Sequence, residues 1–396
     1  MTGKQRILLY GATGYSGRLI AEEAARQMGR ADCGMDVVLA SRDSHRLSAL
    51  ADRLGLAWRA FGLDEQHEVV DALRGFDVLV NAAGPFSETG ERLAKSALAA
   101  QCHYLDIGGE VDVYKRMDDL GYVARSRELT LVCGAGHTSA LSDLMLDAAL
   151  AQLGAQAGGP EGIGAVRIAV QRMQFLSRGS ARTMMRMVRE QVTVARAASV
   201  DGQERLALTH VPVGKIERTF NFGGAEGAGG ADAAEPRQRI ASAANLIDTL
   251  SARNTLRRRQ VRAHSVESYI DMSTAMRVAY QWGSLAAPTF QMPLLRGLNQ
   301  RQVDALPEGP DREERKRNGH RVVLQIENAW RRPVIDWCLA TGDPYELTAT
   351  LALAVAQRIG DAPRGWQTPA AVLGPMQALM DRADGPLAGC RWLRKT

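Results

Sequence analysis

The chain has 396 residues, of which 45% are hydrophobic, and a formal net charge of +5. This length can bury one large core or two ordinary ones, and two domains are the better expectation. Only 5% of the residues are aromatic, which argues against the focused basic stripe with interleaved aromatics that nucleic-acid binding requires. The five cysteines are scattered without CxxC spacing, so the sequence predicts neither a disulfide framework nor a metal site.

Membrane insertion and secretion are not expected from the sequence. The longest apolar helical segment, Leu347 to Ala356, is too short to cross a bilayer. The first predicted strand starts within a few residues of Met1, which leaves no room for a signal peptide. We therefore expect a cytoplasmic protein without an integral membrane span.

Short β-rich runs alternate with helical segments over the first 135 residues or so. Strands are predicted at residues 6–10, 36–40, 57–61, 77–83, 103–107 and 129–135, with helices between them at 44–54, 65–74 and 90–100. Six strands alternating with helices predict an α/β fold with a Rossmann-type, doubly wound parallel sheet.

The pattern of elements changes beyond this region. A strand at 166–176 is followed by a helix at 178–198, and a second long strand at 320–330 is followed by a helix at 343–360. Mixed elements of this kind predict an α+β domain. The chain is therefore divided into a nucleotide-binding domain at 1–140 and an α+β substrate or dimerisation domain at 141–340.

Three glycines, Gly11, Gly14 and Gly17, form the spacing G-x-x-G-x-x-G between the first strand and the first helix. In a dinucleotide fingerprint the first glycine makes the tight turn, the second lets the pyrophosphate approach, and the third lets helix and strand pack closely. Hydroxyl groups come from the residues between them: Thr13, Tyr15 and Ser16. A purely structural turn is the alternative, and the further strands in sequence favour nucleotide binding.

The end of the second strand discriminates between the two nicotinamide cofactors. NAD sites usually place an acidic residue here, whereas NADP sites accommodate the 2′-phosphate with arginine and small hydroxyl residues. This strand ends in Ser41 and Arg42, which favours NADP(H), with Arg46 as a possible second cation. We expect Asp43, one step later, to cap the next helix.

The fourth strand ends in the stretch VNAAGPF. In a doubly wound sheet the ligand lies across the carboxyl ends of the first and fourth strands. We therefore expect Asn81, Ala82, Gly84 and Pro85 to line the nicotinamide ribose. The alternative is an ordinary strand-to-helix turn.

Two residues are candidate proton donors for a reductase. His137 follows the sixth strand just ahead of a helix predicted at 142–153. Histidine is the side chain whose ordinary pKa lies near neutrality, which suits a proton donor, although a histidine that bonds a loop is an equal interpretation. Tyr104 is the second candidate, and a half-buried strand aromatic is its alternative.

Several stretches resemble a known family. YGATGYSG, ASRD, NAAGPFSETGERLAKSAL and CHYLDIGGE resemble the NADP-binding domain of saccharopine dehydrogenase-like oxidoreductases. LPEGPDREERKRNG, GDPYELTA and GWQTPAAVLG are similar to segments of the trans-acting enoyl reductase branch, whose members reduce a conjugated double bond on an acyl chain held by a separate polyketide synthase. Two departures are the longer segment CGAGHTSALSDL after the sixth strand and a middle region, 190–293, without a match.

The resemblance carries implications for cofactor, site and architecture. It implies NADP(H) as the cofactor and adds Asp106, Gly109 and Glu110 to the cofactor-side residues named above. It also implies that residues 341–396 return to pack on the nucleotide domain.

The resemblance implies an NADPH-dependent oxidoreductase that transfers hydride to a conjugated C=C of an acyl or polyketide-like intermediate. The substrate would be a small molecule or a carrier-bound acyl chain, and a homodimer is compatible with the sequence. Two alternatives stay open: a saccharopine-type C=N (imine) reductase acting on amino-acid-derived substrates, and a non-catalytic NADP-binding regulator. The basic cluster Arg253–Arg262 is either a solvated surface or a docking site for a phosphate-bearing or acidic partner.

Overall fold

The computed structural model describes residues 4–114, 116–154, 162–187, 191–200, 202–223, 238–278, 281, 303 and 305–396. The chain divides into two compact units. The first comprises Met1–Ala140 and Tyr345–Ala388, and the second Leu141–Pro344 and Gly389–Thr396. Independent folding of the predicted domains 1–140 and 141–340, and dimerisation through the second, stay predictions.

The strands are, in chain order, β1 Gln5–Tyr10, β2 Met35–Ser41, β3 Ala57–Ala60, β4 Val78–Asn81, β5 His103–Asp106, β6 Thr130–Val132, β7 Ile163–Val170, β8 Val192–Val200, β9 Gln203–Val211, β10 Glu217–Asn221, β11 Gln238–Ala243, β12 Ala263–Asp271, β13 His320–Asn328, β14 Pro333–Thr341, β15 Gly365–Gln367 and β16 Arg391–Lys395. The α-helices are α1 Tyr15–Met28, α2 Ser44–Leu54, α3 Gln66–Leu73, α4 Phe86–Ala99, α5 Val111–Tyr114, α6 Met117–Ser126, α7 His137–Leu153, α8 Arg178–Met187, α9 Asp248–Arg258, α10 Arg312–Arg317, α11 Pro344–Arg358, α12 Pro369–Leu373 and α13 Met376–Met380.

The first unit is built on a seven-stranded parallel sheet with the order β15-β6-β5-β4-β1-β2-β3. β1 and β4 are apolar runs whose side chains from Ile7 to Leu9 and from Val78 to Val80 are buried, as expected for strands covered on both faces. The six predicted strands are present, and β15 adds a seventh from the C-terminal segment. The predicted Rossmann-type sheet is confirmed.

The second unit contains a mixed sheet with the order β10-β11-β12-β7-β13-β14-β16, in which β8 pairs with β12 and β9. β7 and β12 run parallel, whereas β13 runs antiparallel to β7. The apolar core on this sheet includes Val194, Phe220, Tyr269 and Val323. The predicted second α+β region is confirmed as a fold class.

The helix predicted over 178–198 is wrong from Gln191 onward. β8 begins at Val192 and pairs antiparallel with β9. Val192 and Val194 are buried. β-branched side chains at alternate positions favour a strand with one covered face, which explains why this segment does not continue the helix. Residues 188–190, within the prediction, lie outside the described residues.

The basic cluster Arg253–Arg262 is largely part of α9 and the turn after it. Arg259 makes a bidentate ion pair with Asp147, with N···O distances of 2.7 and 2.6 Å. Arg258 contacts the same carboxylate. These two arginines therefore connect α9 to α7, and a docking role for the cluster stays a prediction.

The part of the chain that the structure describes has no helix both long and apolar enough to cross a membrane. The same residues contain no group of three or more His, Cys, Asp or Glu side chains placed to hold a metal ion.

Candidate cofactor site

The residues predicted to bind the cofactor lie at or after the ends of four strands of the parallel sheet, β1, β2, β4 and β5, and the predicted proton donor His137 follows a fifth, β6. Because these strands run parallel, their carboxyl ends share one edge of the sheet, where ligands bind in open α/β folds. The segments at this edge are residues 11–17 after β1, 41–43 at the end of β2, 82–85 after β4, 107–110 after β5 and 133–136 after β6.

The glycine loop after β1 is packed too closely for side chains at two of its positions. Gly11 has φ +86°, and a Cβ built on it would lie 2.6 Å from the backbone nitrogen of Ala83. A Cβ on Gly17 would lie 2.1 Å from the carbonyl oxygen of Gly11. Gly14 is exposed, and its N–H donates to that same oxygen at 3.0 Å. The loop thus passes against the turn after β4 and lets α1 approach β1.

The N-terminus of α1 fits a phosphate group. Gly14 is its N-cap, no side chain caps it, and no acidic residue lies in its first turn. Such a terminus presents N–H groups and a partial positive charge to an anion. Thr13 and Ser16 are partly exposed beside it. The ring of Tyr15 packs edge-on against Tyr345, with centroids 5.0 Å apart, and is held by the C-terminal helix α11.

The end of β2 presents a cation. Ser41 is buried, and its hydroxyl donates to the carbonyl oxygen of Asp43 at 3.2 Å. Arg42 is exposed. The carboxylate of Asp43 accepts from the N–H of Arg46 at 3.0 Å as the N-cap of α2, which confirms the predicted cap. The carboxylate is used in this way, whereas Arg42 is an exposed cation of the kind that suits a 2′-phosphate, and its contact with the cofactor stays a prediction.

The turn after β4 is held by the side chain of Asn81. Its carbonyl oxygen accepts from the N–H of Ala83 at 2.9 Å, and its amide nitrogen lies 3.1 Å from the hydroxyl of Tyr104. The hydroxyl of Thr89 donates to the carbonyl oxygen of Ala83 at 2.6 Å. Asn81 is completely buried, so its side chain shapes the turn. Gly84 is the exposed residue of the turn, followed by a cis peptide bond to Pro85.

Asp106, at the end of β5, is completely buried and accepts four hydrogen bonds. One oxygen accepts from the hydroxyl of Tyr114 at 2.6 Å and from the N–H groups of Gly108 and Gly134 at 3.0 and 3.1 Å. The other oxygen accepts from the hydroxyl of Tyr104 at 2.9 Å. The carboxylate therefore joins two neighbouring segments at the sheet edge.

Burial has the largest effect on the pKa of Asp106 and of its partners Tyr104 and Tyr114. It raises the pKa of Asp106 above its ordinary value, and the four hydrogen bonds oppose that shift without cancelling it. Burial also raises the pKa of Tyr104 and Tyr114 well above that of a free phenol, and the nearby Asp106 raises both further. The two phenols thus keep their protons and act as donors.

Glu110 connects the segment after β5 to α4. Its carboxylate accepts from the N–H of Ser87 at 3.1 Å, where a negative charge complements the N-terminal end of the helix dipole. Gly109 is partly exposed, and a Cβ built on it would meet no atom within 4 Å. Cofactor contacts by these two residues stay predictions.

His137 lies at the start of α7, which begins earlier than the sequence pattern indicates. His137 is 3% exposed, and its imidazole Nδ1 lies 3.2 Å from the hydroxyl oxygen of Thr138. Its main-chain N–H donates to the hydroxyl of Thr348, on α11, at 3.1 Å. The residue is therefore placed by both α7 and the C-terminal helix, directly after the segment that Asp106 holds.

Tyr104, the second predicted proton donor, is completely buried within β5. Its hydroxyl accepts from Asn81 and donates to Asp106. Because a phenol with a raised pKa is a weaker acid, this environment favours a positioning role. The catalytic assignment stays a prediction.

Three members of this network were missed by the sequence analysis: Thr89, Tyr114 and Gly134. Each reaches its partner across a turn or from another strand, at separations of 6, 8 and 28 residues. None of these separations follows the period of a helix or a strand. The sequence indicated this network only through the acidic residue Asp106 in the stretch LDIGG. It did not indicate which groups would donate hydrogen bonds to that carboxylate.

The geometry defines a dinucleotide-binding protein of the Rossmann class. Residues 7–133 match the model of the family described as the saccharopine dehydrogenase NADP binding domain. This stretch contains most of β1 and all of β2 to β6. The first unit thus carries a saccharopine dehydrogenase-like NADP-binding domain, of the kind found in oxidoreductases, and NADP(H) is its cofactor. The predicted resemblance and the predicted cofactor are confirmed for this domain.

Curated relatives match over a limited part of the chain. The chain is 31% identical over 153 residues to a trans-acting enoyl reductase of Mycobacterium ulcerans, and this covers 36% of each protein. The match therefore spans about a third of the relative's length.

Solved structures share the fold over nearly the whole chain. A saccharopine dehydrogenase (L-Glu forming) from Saccharomyces cerevisiae is 12% identical with a TM-score of 0.57, and the match covers 95% of this chain and 97% of that one. A homospermidine synthase from Legionella pneumophila, solved with NAD, is 10% identical with a TM-score of 0.57 over 98% and 91% of the two chains. At this identity the likeness concerns the fold.

Proposed function

We propose that this protein is an NADPH-dependent reductase that transfers hydride to a conjugated C=C of an acyl or polyketide-like intermediate. The observation that carries the proposal is the pairing of an uncapped, glycine-lined N-terminus of α1 with the exposed Arg42 after β2. Together they suit a dinucleotide with a 2′-phosphate. The enoyl acceptor is supported by the similarity to the trans-acting enoyl reductase.

Each half of the cofactor has its own group of residues in this proposal. The loop from Gly11 to Gly17 would hold the pyrophosphate, Ser41 and Arg42 would hold the 2′-phosphate, and residues 82–85 would lie along the nicotinamide ribose. NADPH, when bound, supplies the hydride, and the protein supplies orientation, polarisation of the acceptor and a proton.

His137 is our candidate for proton delivery. Reduction of a conjugated C=C leaves an enolate, which needs a proton at the carbon next to the carbonyl. An imidazole can give such a proton near neutral pH. Its contacts with Thr138 and Thr348 restrict the ring and its backbone, which favours a repeatable donor position.

A saccharopine-type C=N reductase is the second candidate. The likeness to the yeast saccharopine dehydrogenase covers 95% of the chain, whereas the enoyl reductase match covers 36%. Nearly two thirds of this chain therefore lies beyond the match that suggests the enoyl substrate. A third possibility, a non-catalytic regulator, would bind NADPH without turnover.

An NADPH-oxidation assay separates the three. The purified chain is given enoyl thioesters on coenzyme A, on pantetheine and on an acyl carrier protein, or mixtures of an amino acid with a 2-keto acid. The matching saturated thioesters serve as controls. Oxidation with the enoyl series alone supports the proposal, and oxidation with the amine and keto-acid mixtures replaces it by the C=N reductase. NADPH binding without turnover in either series would favour the regulator.

A further inference from the structure

We propose that Asp106 is a positioning residue that shapes the nicotinamide half of the cofactor site and leaves the 2′-phosphate half unaffected. This inference rests on the proposed function. It assigns to Asp106, through its neighbours, the alignment of three segments that follow β4, β5 and β6.

Hydrogen bonds connect Asp106 to three segments at the edge of the sheet. One oxygen of Asp106 binds Gly108, after β5, and Gly134, after β6. The other binds the hydroxyl of Tyr104, which in turn accepts from Asn81 at the end of β4. Asn81 then accepts from the N–H of Ala83. One buried carboxylate is thus linked to all three segments by direct contact or through two side chains.

The direction of these hydrogen bonds depends on the carboxylate of Asp106. Every partner of Asp106 is a donor, and Tyr104 can accept from Asn81 because its own proton points to the carboxylate. A carboxylate has only acceptor sites, whereas a carboxamide also has an NH₂ group that must donate. In an Asp106→Asn variant the amide oxygen would stay with Gly108 and Gly134. The NH₂ group would then face the Tyr104 oxygen and leave the phenol proton without its acceptor.

The order of the strands separates the two halves of the proposed cofactor site. β4, β5 and β6 lie on one side of β1, and β2 lies on the other. The hydroxyl of Ser41, at the end of β2, bonds Asp43, whereas the four donors to Asp106 come from the segments of β5, α5 and β6. Loss of a hydrogen bond between Asp106 and Tyr104 should therefore alter the segments at the nicotinamide side. It should leave the 2′-phosphate side, at the end of β2, unchanged.

The experiment measures binding of two ligands by calorimetry, NADPH and adenosine 2′,5′-bisphosphate, the second of which lacks the nicotinamide half. Asp106→Asn and Tyr104→Phe should each weaken NADPH binding roughly tenfold, the scale of a lost buried hydrogen bond. Both should bind the bisphosphate as the wild type does. The two changes should not add in the double variant, because they break the same link. Tyr269→Phe is the matched control, since it removes a buried phenol whose hydroxyl donates to another carboxylate, Glu267, outside this network. It should bind both ligands as the wild type does.

The outcomes separate the possible failures. A thermal melt identifies variants that do not fold, and Tyr104→Phe carries the test if Asp106→Asn is one of them. Equal losses for both ligands in folded variants would show a general structural role and overturn the proposal. Unchanged NADPH binding by Tyr104→Phe would also overturn it, and if kcat then fell, Tyr104 would be a proton donor. A wild-type chain that binds the bisphosphate but not NADPH would instead refute the proposed function.

Discussion

Replacing Gly17 with alanine should damage the fold, whereas the same replacement at Gly14 should damage cofactor binding. The Cβ introduced at position 17 would lie 2.1 Å from the Gly11 carbonyl oxygen and 2.8 Å from its carbon. Ordinary contact starts at 3.4 Å, so α1 would have to move by about 1.3 Å, the difference between 3.4 and 2.1 Å. Both atoms are backbone and cannot rotate away. We therefore expect the upper part of the usual cost of overpacking, about 2 to 3 kcal/mol.

Gly14 is the matched position on the same loop. Its φ is −74°, which alanine adopts readily, and the nearest atom to a new Cβ is the Gly11 oxygen at 3.3 Å. The fold should tolerate Gly14→Ala at a cost of less than about 1 kcal/mol. The methyl group would, however, occupy the exposed N-cap of α1, where we place the pyrophosphate. NADPH binding should weaken about tenfold or more, because the close approach to the backbone is lost.

Two measurements check the Gly17→Ala and Gly14→Ala variants. Stability should be affected more by Gly17→Ala, and NADPH affinity more by Gly14→Ala. Chemical denaturation should show a lower free energy of unfolding for Gly17→Ala, with a melting temperature lower by about 5 to 10 °C. Fluorescence titration with NADPH should show the larger loss of affinity for Gly14→Ala in fully folded protein. A stable Gly17→Ala, or a Gly14→Ala that binds NADPH like the wild type, would refute this assignment of the two glycines.

Three further predictions concern the cofactor, the proton and pH. Arg42→Ala should cost about 1.5 to 3 kcal/mol in NADPH binding and leave NADH binding unchanged, and equal losses would show that Arg42 does not read the 2′-phosphate. His137→Gln should lower kcat about 100-fold or more while the Kd for NADPH stays the same. Stopped-flow measurement of NADPH oxidation, with the substrate that the wild type reduces, checks this, and an unchanged kcat would contradict the role of His137. Burial lowers the pKa of His320 from 6.5 to about 4. The neutral imidazole therefore contributes fully to the free energy of unfolding above pH 6.5. As the pH falls from 6.5 towards 4, the free energy of unfolding should fall by about 3 kcal/mol in total. As the pH is lowered, the urea midpoint of His320→Gln should therefore decrease less than that of the wild type. Parallel plots of the urea midpoint against pH would contradict a neutral buried imidazole.

Much of the first unit is determined by local sequence. Apolar runs such as residues 6–10 and 77–83 predict buried parallel strands, because their length and composition suit positions covered on both faces. The glycine spacing predicts the loop, since a positive φ at Gly11 and the close approach at Gly17 admit no larger residue. The Asp43 cap was likewise predictable, because its bond reaches only three residues ahead.

Local pattern failed where tertiary contacts outweigh it. The segment after Met187 has helix-forming neighbours, yet Val192 and Val194 join a strand because pairing with β9 buries them. Helix periodicity also placed the start of α7 too late, which left His137 in a loop. The start is held by Thr348 on a distant helix, and no local signal reports such a contact.

The sequence by itself determined the sheet, the glycine loop and the cofactor class, because each depends on residues adjacent in the chain. Only the tertiary structure decided what Asp106 does. Its donors come from a neighbouring turn, from its own strand, from the short helix α5 and from the end of β6. A buried carboxylate is stabilised by whichever donors the fold brings to it, and that grouping exists only once the strands have paired.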